Sequence, residues 1–173
     1  EAQQKEGLSY GFKAGINSTN QSFFNRNGSE FTKGRYDSRV SPSIGAFAEL
    51  SSSGPLSAVM VLGYREKGAR AAAMTGTARS VQQYVYSDLL LKFRKELTSS
   101  SIYLLAGNRG ELLVASNHTQ SLENMYDMAS EKKLVLSPVV GAGFEFKQDK
   151  PRSFFIQLEY NPGTTNILQP TAL

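Results

Sequence analysis

The sequence predicts an all-β protein, an up-and-down antiparallel transmembrane β-barrel, from three observations. Seven stretches alternate apolar and polar residues, the pattern of a strand whose two faces meet different surroundings. The connections between them run about 25, 6, 15, 7, 18 and 6 residues, and barrels with long outer loops and short periplasmic turns have this asymmetry. No stretch has a convincing helical period with caps, and residues 122–133 are the nearest candidate, as a short loop helix.

The alternation locates each predicted strand along the sequence. In the first strand, large apolar residues such as Leu8 and Phe12 take one face, while Lys13 and other polar or small residues take the opposite face. The short connections at 51–55 and 147–151 are rich in turn-forming residues, so each strand is expected to pair with the next. The seven predicted strands are residues 8–17, 43–50, 57–67, 83–94, 102–115, 134–146 and 153–163.

The composition fits a single domain over residues 1–173 and excludes several classes of protein. There is no Cys, hence no disulfide framework or thiolate metal site, and the net charge of +4 is not clustered as in a nucleic-acid-binding face. No run approaches the roughly 20 apolar residues of a transmembrane helix. The mean hydropathy of −0.32 still suits a membrane barrel, whose polar interior lowers the average. The polar start EAQQKE is typical of a mature terminus, so we expect that a signal peptide was removed or omitted.

One face of the predicted strands is apolar and almost free of charge. A lipid-facing surface requires this, because a charge there costs roughly 2–4 kcal/mol at mid-membrane. Aromatic residues lie near both ends of this face, as in the girdles at membrane interfaces, although aromatic residues also favour strands in general. The predicted interface aromatics are Tyr10, Phe93, Phe146 and Phe154 at the short-turn end, and Tyr64 and Tyr160 toward the long loops.

The other face carries charges of both signs with glycines between them. In a barrel of about eight strands the interior is just wide enough for side chains to fill, and charges inside it have to pair. We therefore predict a lumen closed by ion pairs rather than a wide channel, with Glu145 and Glu159 pairing with Lys13, Arg65 or Arg109. The predicted lumen charge network consists of Lys13, Glu49, Arg65, Lys92, Arg94, Arg109, Glu111, Glu145 and Glu159.

Alternation alone leaves two alternatives open. A soluble lipocalin-like barrel would place the apolar face inside, around a small apolar ligand, and the charged face in water. An outer-membrane lipid-acting hydrolase would use His118, the only His, with Ser116, Ser121 and Glu123 near it. A polar loop is a poor support for a catalytic base that a third group must hold in place. We therefore predict no enzymatic activity, no cofactor and no metal site.

Six segments, in order along nearly the whole chain, resemble the PorT-like outer-membrane β-barrel proteins of the Bacteroidetes. They are GFKAGIN (11–17), SIGAFAEL (43–50), LGYREKG (62–68), LLLKF (89–93), VGAGFEF (140–146) and LEYNPGTTNI (158–167). The resemblance implies an outer-membrane location and an eight-stranded barrel, and named relatives contribute to protein secretion and surface assembly. The expected function is a structural or interaction component of such an assembly, acting through its long loops. The expected partners are outer-membrane lipid and other outer-membrane or secretion proteins, without nucleic acid.

The chain departs from this family in three places. The family often carries an acidic residue and a Pro before the Leu run, where this chain has Tyr86 and Asp88. After residue 107 it tends to have an apolar or aromatic pair, where this chain has Asn108 and Arg109. The family's eighth strand has no match, and seven strands would leave two open edges in lipid. We therefore expect that the returning strand, or part of a loop before it, is missing from this sequence.

Overall fold

The chain forms one antiparallel sheet of seven strands in which each strand pairs with its neighbours in sequence. The predicted all-β, up-and-down topology is therefore confirmed. No helix in the described ranges is both long enough and apolar enough to cross a membrane. The computed structural model describes residues 7–19, 36–73, 76–118, 134–147 and 153–162.

Most strands extend beyond their predicted ends, whereas the last one is shorter and ends at Tyr160 rather than at residue 163. The predicted loop helix at 122–133 lies outside the described residues. An eighth strand stays a prediction, since the described residues form seven. The strands are β1 (Gly7–Thr19), β2 (Tyr36–Ser51), β3 (Leu56–Ala73), β4 (Gly76–Glu96), β5 (Ser100–His118), β6 (Leu134–Lys147) and β7 (Ser153–Tyr160).

The prediction of a second long connection, between β3 and β4, is wrong. The alternation of large apolar residues fades near residue 67, so the sequence suggests a connection of about 15 residues there. In the structure both strands continue as a hairpin until Ala73 pairs with Gly76. This stretch is built largely from Ala, Thr, Gly, Arg and Ser, which produce no apolar period, and backbone hydrogen bonds hold it as a ladder instead.

The period of two gives the sheet two unlike faces. Along β7 the side chains of Phe154, Ile156 and Leu158 are 62%, 70% and 80% exposed, while the residues between them are partly buried. Exposed apolar side chains follow the same alternation on the other strands. The apolar set that the sequence places outside is therefore the exposed set, and the polar set covers the buried face.

The sheet curls into a half-barrel, so that its concave face brings together strands that are far apart in the sheet. Phe47 on β2 packs edge-on against Phe155 on β7, with 5.6 Å between ring centroids. Lys13 on β1 likewise contacts Glu159 on β7. An apolar core lies on this concave face and consists of Val59, Val61, Tyr86, Leu90, Tyr103, Leu105 and Val139.

Two glycines let tyrosine rings lie directly against the concave face. A Cβ atom at Gly63 would come within 2.6 Å of the Tyr86 ring, and one at Gly143 would overlap the Tyr103 ring. Each ring therefore occupies space that any larger residue at these positions would need. The close approach explains part of the glycine content of the polar face.

Candidate functional site

The candidate functional site is the charge network on the concave face. The structure places all nine predicted lumen residues there, and each of them makes at least one ion pair. The network has three layers along the strands: a turn-end layer near the short connections, a central layer, and a loop-end layer toward the long connections. The central and turn-end layers each join residues from at least three strands. The loop-end layer joins β3 with β5, which are not neighbours in sequence.

The central layer crosses the half-barrel from one edge strand to the other. Arg109 donates two hydrogen bonds to the fully buried Asp88 carboxylate, from Nε at 2.5 Å and from Nη2 at 2.6 Å. The same Nη2 atom donates to Glu159 at 2.6 Å. Lys13 donates to the other Glu159 oxygen at 2.7 Å and lies 3.8 Å from Asp88. Two cations and two carboxylates thus alternate, which is the arrangement that buried charges need.

The turn-end layer is centred on Glu49, whose side chain is almost completely buried. One carboxylate oxygen accepts hydrogen bonds from Ser57 at 2.7 Å and Arg94 at 2.6 Å, and the other accepts from Lys92 at 2.8 Å. Glu145 lies 3.2 Å from Lys92 and 3.3 Å from Arg94. This layer therefore pairs two cations with two carboxylates, like the central layer.

The loop-end layer has one carboxylate between two cations. Glu111, which is 1% exposed, accepts hydrogen bonds from Arg65 and from Lys67, the latter at 2.5 Å. The Lys67 ammonium also lies 5.0 Å from the Tyr84 ring centroid, within the range of a cation–π interaction. A single buried carboxylate thus holds two cations, and the tyrosine face offers Lys67 further stabilisation.

Tyrosine rings connect the layers. The Tyr86 centroid lies 4.6 Å from the Arg109 guanidinium carbon and 5.8 Å from both Lys13 and Arg65. In the turn-end layer, the Lys92 ammonium lies 4.4 Å from the Tyr103 centroid. Tyrosine rings and ion pairs thus lie on the concave face in all three layers.

Sequence reasoning missed two members of the network, Asp88 and Lys67. Both could have been found from the alternation, because Asp88 lies four residues before Lys92 and Lys67 lies two residues after Arg65. An even spacing in a strand puts the residues on one face. The sequence identifies Asp88 only as a departure from the family pattern, whereas in the structure it is the carboxylate that holds Arg109 in the central layer.

The sequence predicts the same set of cations as partners for Glu145 and Glu159, but in the structure these two carboxylates have different partners. Glu159 binds two of the cations expected for it, Lys13 and Arg109. Glu145 instead contacts Lys92 and Arg94, because the curl of the sheet brings β6 over β4 at the turn end. The sequence gives the face of each residue but not which strands the curl brings together.

Five of the six predicted interface aromatics lie within three residues of a strand end and are exposed, whereas Tyr64 is the ninth of the 18 residues of β3. Tyr64 on β3 is only partly exposed. The five exposed aromatics, all apolar or amphipathic rings on the outward face, are Tyr10, Phe93, Phe146, Phe154 and Tyr160.

The structure places His118 on a strand rather than in a loop. It is the last residue of β5, and its backbone pairs with Ser80 of β4. Ser116 also lies on β5, opposite Gln82, whereas Ser121 and Glu123 lie outside the described residues. Within the described ranges, no group of three or more His, Cys, Asp or Glu side chains could hold a metal ion.

The orientation of the two faces decides between a membrane barrel and a lipocalin-like carrier. A carrier would bury its apolar face around the ligand and expose its charges to water. This chain has the reverse arrangement, since Phe12 is 83% exposed, whereas Asp88 and Arg109 are buried on the concave face. The lipocalin-like alternative is therefore wrong for this chain.

Comparison with known proteins agrees with this arrangement. The family model described as "Outer membrane protein beta-barrel domain" matches residues 1–169. No curated protein and no solved structure matches the chain. The matched region covers all seven strands, the apolar convex face and the charged concave face. The chain thus belongs to the outer membrane protein β-barrel domain family, as a small barrel protein of the outer membrane.

Proposed function

We propose that this protein is a non-enzymatic, PorT-like component of a cell-surface or protein-secretion assembly that acts through the loop end of its barrel. The observation that carries the proposal is the central layer, in which Lys13, Asp88, Arg109 and Glu159 cross the interior from β1 to β7. A barrel whose interior is filled in this way is a poor conduit. The protein would then act on other molecules through its surfaces rather than through its interior.

The proposal includes closure of the half-barrel by one further strand. Because the sheet is antiparallel throughout, the edge strands β1 and β7 run in the same direction. A direct pairing of these edges would be parallel, whereas one inserted strand can pair antiparallel with both. Edge groups left unpaired in hydrocarbon cost several kcal/mol each, so lipid strongly favours closure.

The β3–β4 hairpin is the element that we propose for partner contact. Within the described residues, the ladder of β2 with β3 reaches the pair of Tyr36 with Ala71, and the ladder of β5 with β4 reaches the pair of Ser80 with His118. Beyond these points, within the described residues, the two hairpin strands pair only with each other. We propose that another protein binds this ribbon by adding a strand along it.

Site-specific photo-crosslinking in the outer membrane of a host bacterium tests the hairpin. A crosslinker in place of Thr77, near the hairpin tip, should capture a discrete protein partner. As the matched control, the same crosslinker replaces Ser53, which lies in the short β2–β3 turn at the opposite end of the barrel. A variant without residues 70–79, closed by an Asn-Gly turn, should keep its barrel but lose the complex. Survival of the complex in this variant would contradict the proposal.

Conductance measurements test the filled interior separately. Planar bilayers that contain the protein should show no channel conductance above that of the lipid. An Asp88→Ala, Arg109→Ala variant, which removes the centre of the central layer, should raise the conductance. A large steady conductance of the unaltered protein would favour a channel function instead.

A further inference from the structure

The outward, lipid-facing side of the sheet is interrupted at one place by polar side chains. Between the first and the last exposed large apolar residue of each described strand, the outward positions are apolar, Gly or Pro, except Ser87 on β4 and Asn108 on β5. Both of these side chains are exposed. Asn108 lies opposite Leu89, two residues along β4 from Ser87, so the two exceptions are diagonal neighbours on one face. They form one polar patch.

The patch lies within the part of the sheet that crosses the lipid. On β5, Asn108 is four residues from Leu104 and four from Leu112, and both of these leucines are exposed. At about 3.3 Å per residue and a strand tilt of about 40°, the stretch between them covers about 20 Å of an apolar band about 25 Å tall. Leu89 on β4 and Leu136 on β6 flank the amide and are 69% and 53% exposed. The amide is thus surrounded by side chains that face hydrocarbon.

Neither polar side chain has a partner within the sheet. In the part of the chain that the structure describes, the Asn108 amide and the Ser87 hydroxyl make no hydrogen bond. Pro138 lies directly opposite Asn108 on β6 and has no backbone N–H to donate. An amide that faces hydrocarbon without a hydrogen bond is costly, because lipid tails supply neither donors nor acceptors. A polar group from another molecule would therefore stabilise the patch.

The surface beside the amide is low enough for another protein to approach it. Ala106 and Gly110 are the outward residues on either side of Asn108 along β5. A Cβ atom at Gly110 would meet only the backbone oxygen of Ser87, at 3.9 Å, so the space above this glycine is open. Small residues allow close contact between membrane proteins, whose association depends on packing and hydrogen bonds because lipid is as apolar as leucine. The patch therefore combines polar groups with the room to reach them.

We propose that this patch is the interface between two copies of the chain in the outer membrane, with Asn108 of each copy hydrogen-bonded to Asn108 of the other. Copies in one membrane share one orientation, so a two-fold axis between them runs along the membrane normal. Such an axis places each residue opposite residues of the second copy at its own height. An amide has both donors and an acceptor, so the two Asn108 side chains satisfy each other. A second copy thus supplies the complementary group at the depth where it is needed.

Disulfide cross-linking in the outer membrane of a host bacterium tests the interface, because the chain has no native cysteine. Ala106→Cys places a thiol beside the proposed axis. Its matched control is Ala46→Cys on β2, on the same outward face but three strands away. Oxidation with copper phenanthroline should join Ala106→Cys chains at least about tenfold faster than Ala46→Cys chains, because only the first pair of thiols is held together. A disulfide of this kind forms only between two copies, so a different protein bound at the patch would give no such dimer.

Variants at Asn108 separate the amide from the surface around it. In the Ala106→Cys background, Asn108→Leu removes the donors and the acceptor while keeping a side chain of similar size. It should lower the yield of dimer about tenfold. Asn108→Gln keeps an amide at this position and should retain most of the yield. Circular dichroism of each purified variant checks that the sheet has formed, and Asn108→Leu should fold because it extends the apolar face.

The mass of the protein in detergent gives an independent result. In sedimentation equilibrium in density-matched micelles, the unaltered protein should have the mass of two 18.9 kDa chains and Asn108→Leu that of one. Equal cross-linking of Ala106→Cys and Ala46→Cys would overturn the proposal, because it would indicate random collision or association through the sheet edges. Dimers that survive Asn108→Leu unchanged would place the interface elsewhere. A monomer in both membranes and micelles would exclude association altogether.

Discussion

Lys13 and Glu159 lie 2.7 Å apart, although 146 positions separate them and they belong to the two edge strands. Their ion pair joins the ends of the sheet through side chains, whereas the backbones of β1 and β7 lie at opposite ends of the strand order. Arg109 shares the Glu159 carboxylate and anchors it to Asp88. The half-barrel is thus held in its curl by a chain of charges.

Within this chain of charges, Arg109 should contribute more to the free energy of unfolding than Lys13. Arg109→Met leaves the fully buried Asp88 without its bidentate partner, and we expect a loss of about 3–5 kcal/mol in the free energy of unfolding. Lys13→Met leaves Glu159 bound to Arg109 and should cost no more than about 2 kcal/mol. Urea unfolding in lipid vesicles, followed by circular dichroism, measures both. Equal losses would contradict the central role of Arg109.

Glu111 should couple the contributions that Arg65 and Lys67 make to the stability of the fold. Either cation alone can neutralise the buried carboxylate, so Arg65→Met or Lys67→Met should be tolerated better than the double variant. We expect the double variant to lose about 0.5–3 kcal/mol more than the sum of the single losses. A double-mutant cycle from urea unfolding gives this coupling energy, and strict additivity would argue that the two cations act independently.

Gly143 should resist substitution because the Tyr103 ring lies on it. Gly143→Ala forces the ring to move and should cost about 1–3 kcal/mol. Gly110→Ala is the matched control, since its Cβ would have only Ser87 O nearby, at 3.9 Å, and its cost should be within about 0.5 kcal/mol. In a Tyr103→Leu background, the penalty of Gly143→Ala should shrink. A persistent penalty would place the strain elsewhere.

The convex face should tolerate charge only near its ends. Leu91 lies on the outward face within β4 and is 64% exposed, whereas Leu97 lies in the short turn before β5. Leu91→Arg should cost about 2–4 kcal/mol in lipid vesicles, and Leu97→Arg about 0–1 kcal/mol. The same unfolding measurement compares the two variants. Similar costs for both would mean that Leu91 does not face the hydrocarbon.

The alternation made the strands and the two faces predictable, because side-chain direction in a strand depends only on local geometry. It could not decide which face lies inside, since the pattern is identical in a membrane barrel and in a soluble carrier. The burial of Asp88 and the exposure of Phe12 decided that question. The outer part of the β3–β4 hairpin was missed because its short side chains carry no apolar period.

The partners within the network were only partly predictable. Ion pairs between neighbouring strands follow from register, as for Asp88 and Arg109, which lie directly opposite each other on β4 and β5. The contact of Lys92 on β4 with Glu49 on β2 spans a strand between them. Such pairs depend on how strongly the sheet curls, which depends on packing across the concave face rather than on local sequence.

The strand order also has a consequence for the kinetics of assembly. Every backbone ladder in the described sheet joins strands that are adjacent in sequence, so hairpins can form one after another with small loop-closure entropy. In the closure proposed above, the pairing of β1 with a strand that follows β7 would be the one step that closes a loop of almost the whole chain. We expect this final joining of the edges to limit the folding rate, with the Lys13–Glu159 pair bringing the two ends close before the last ladder forms.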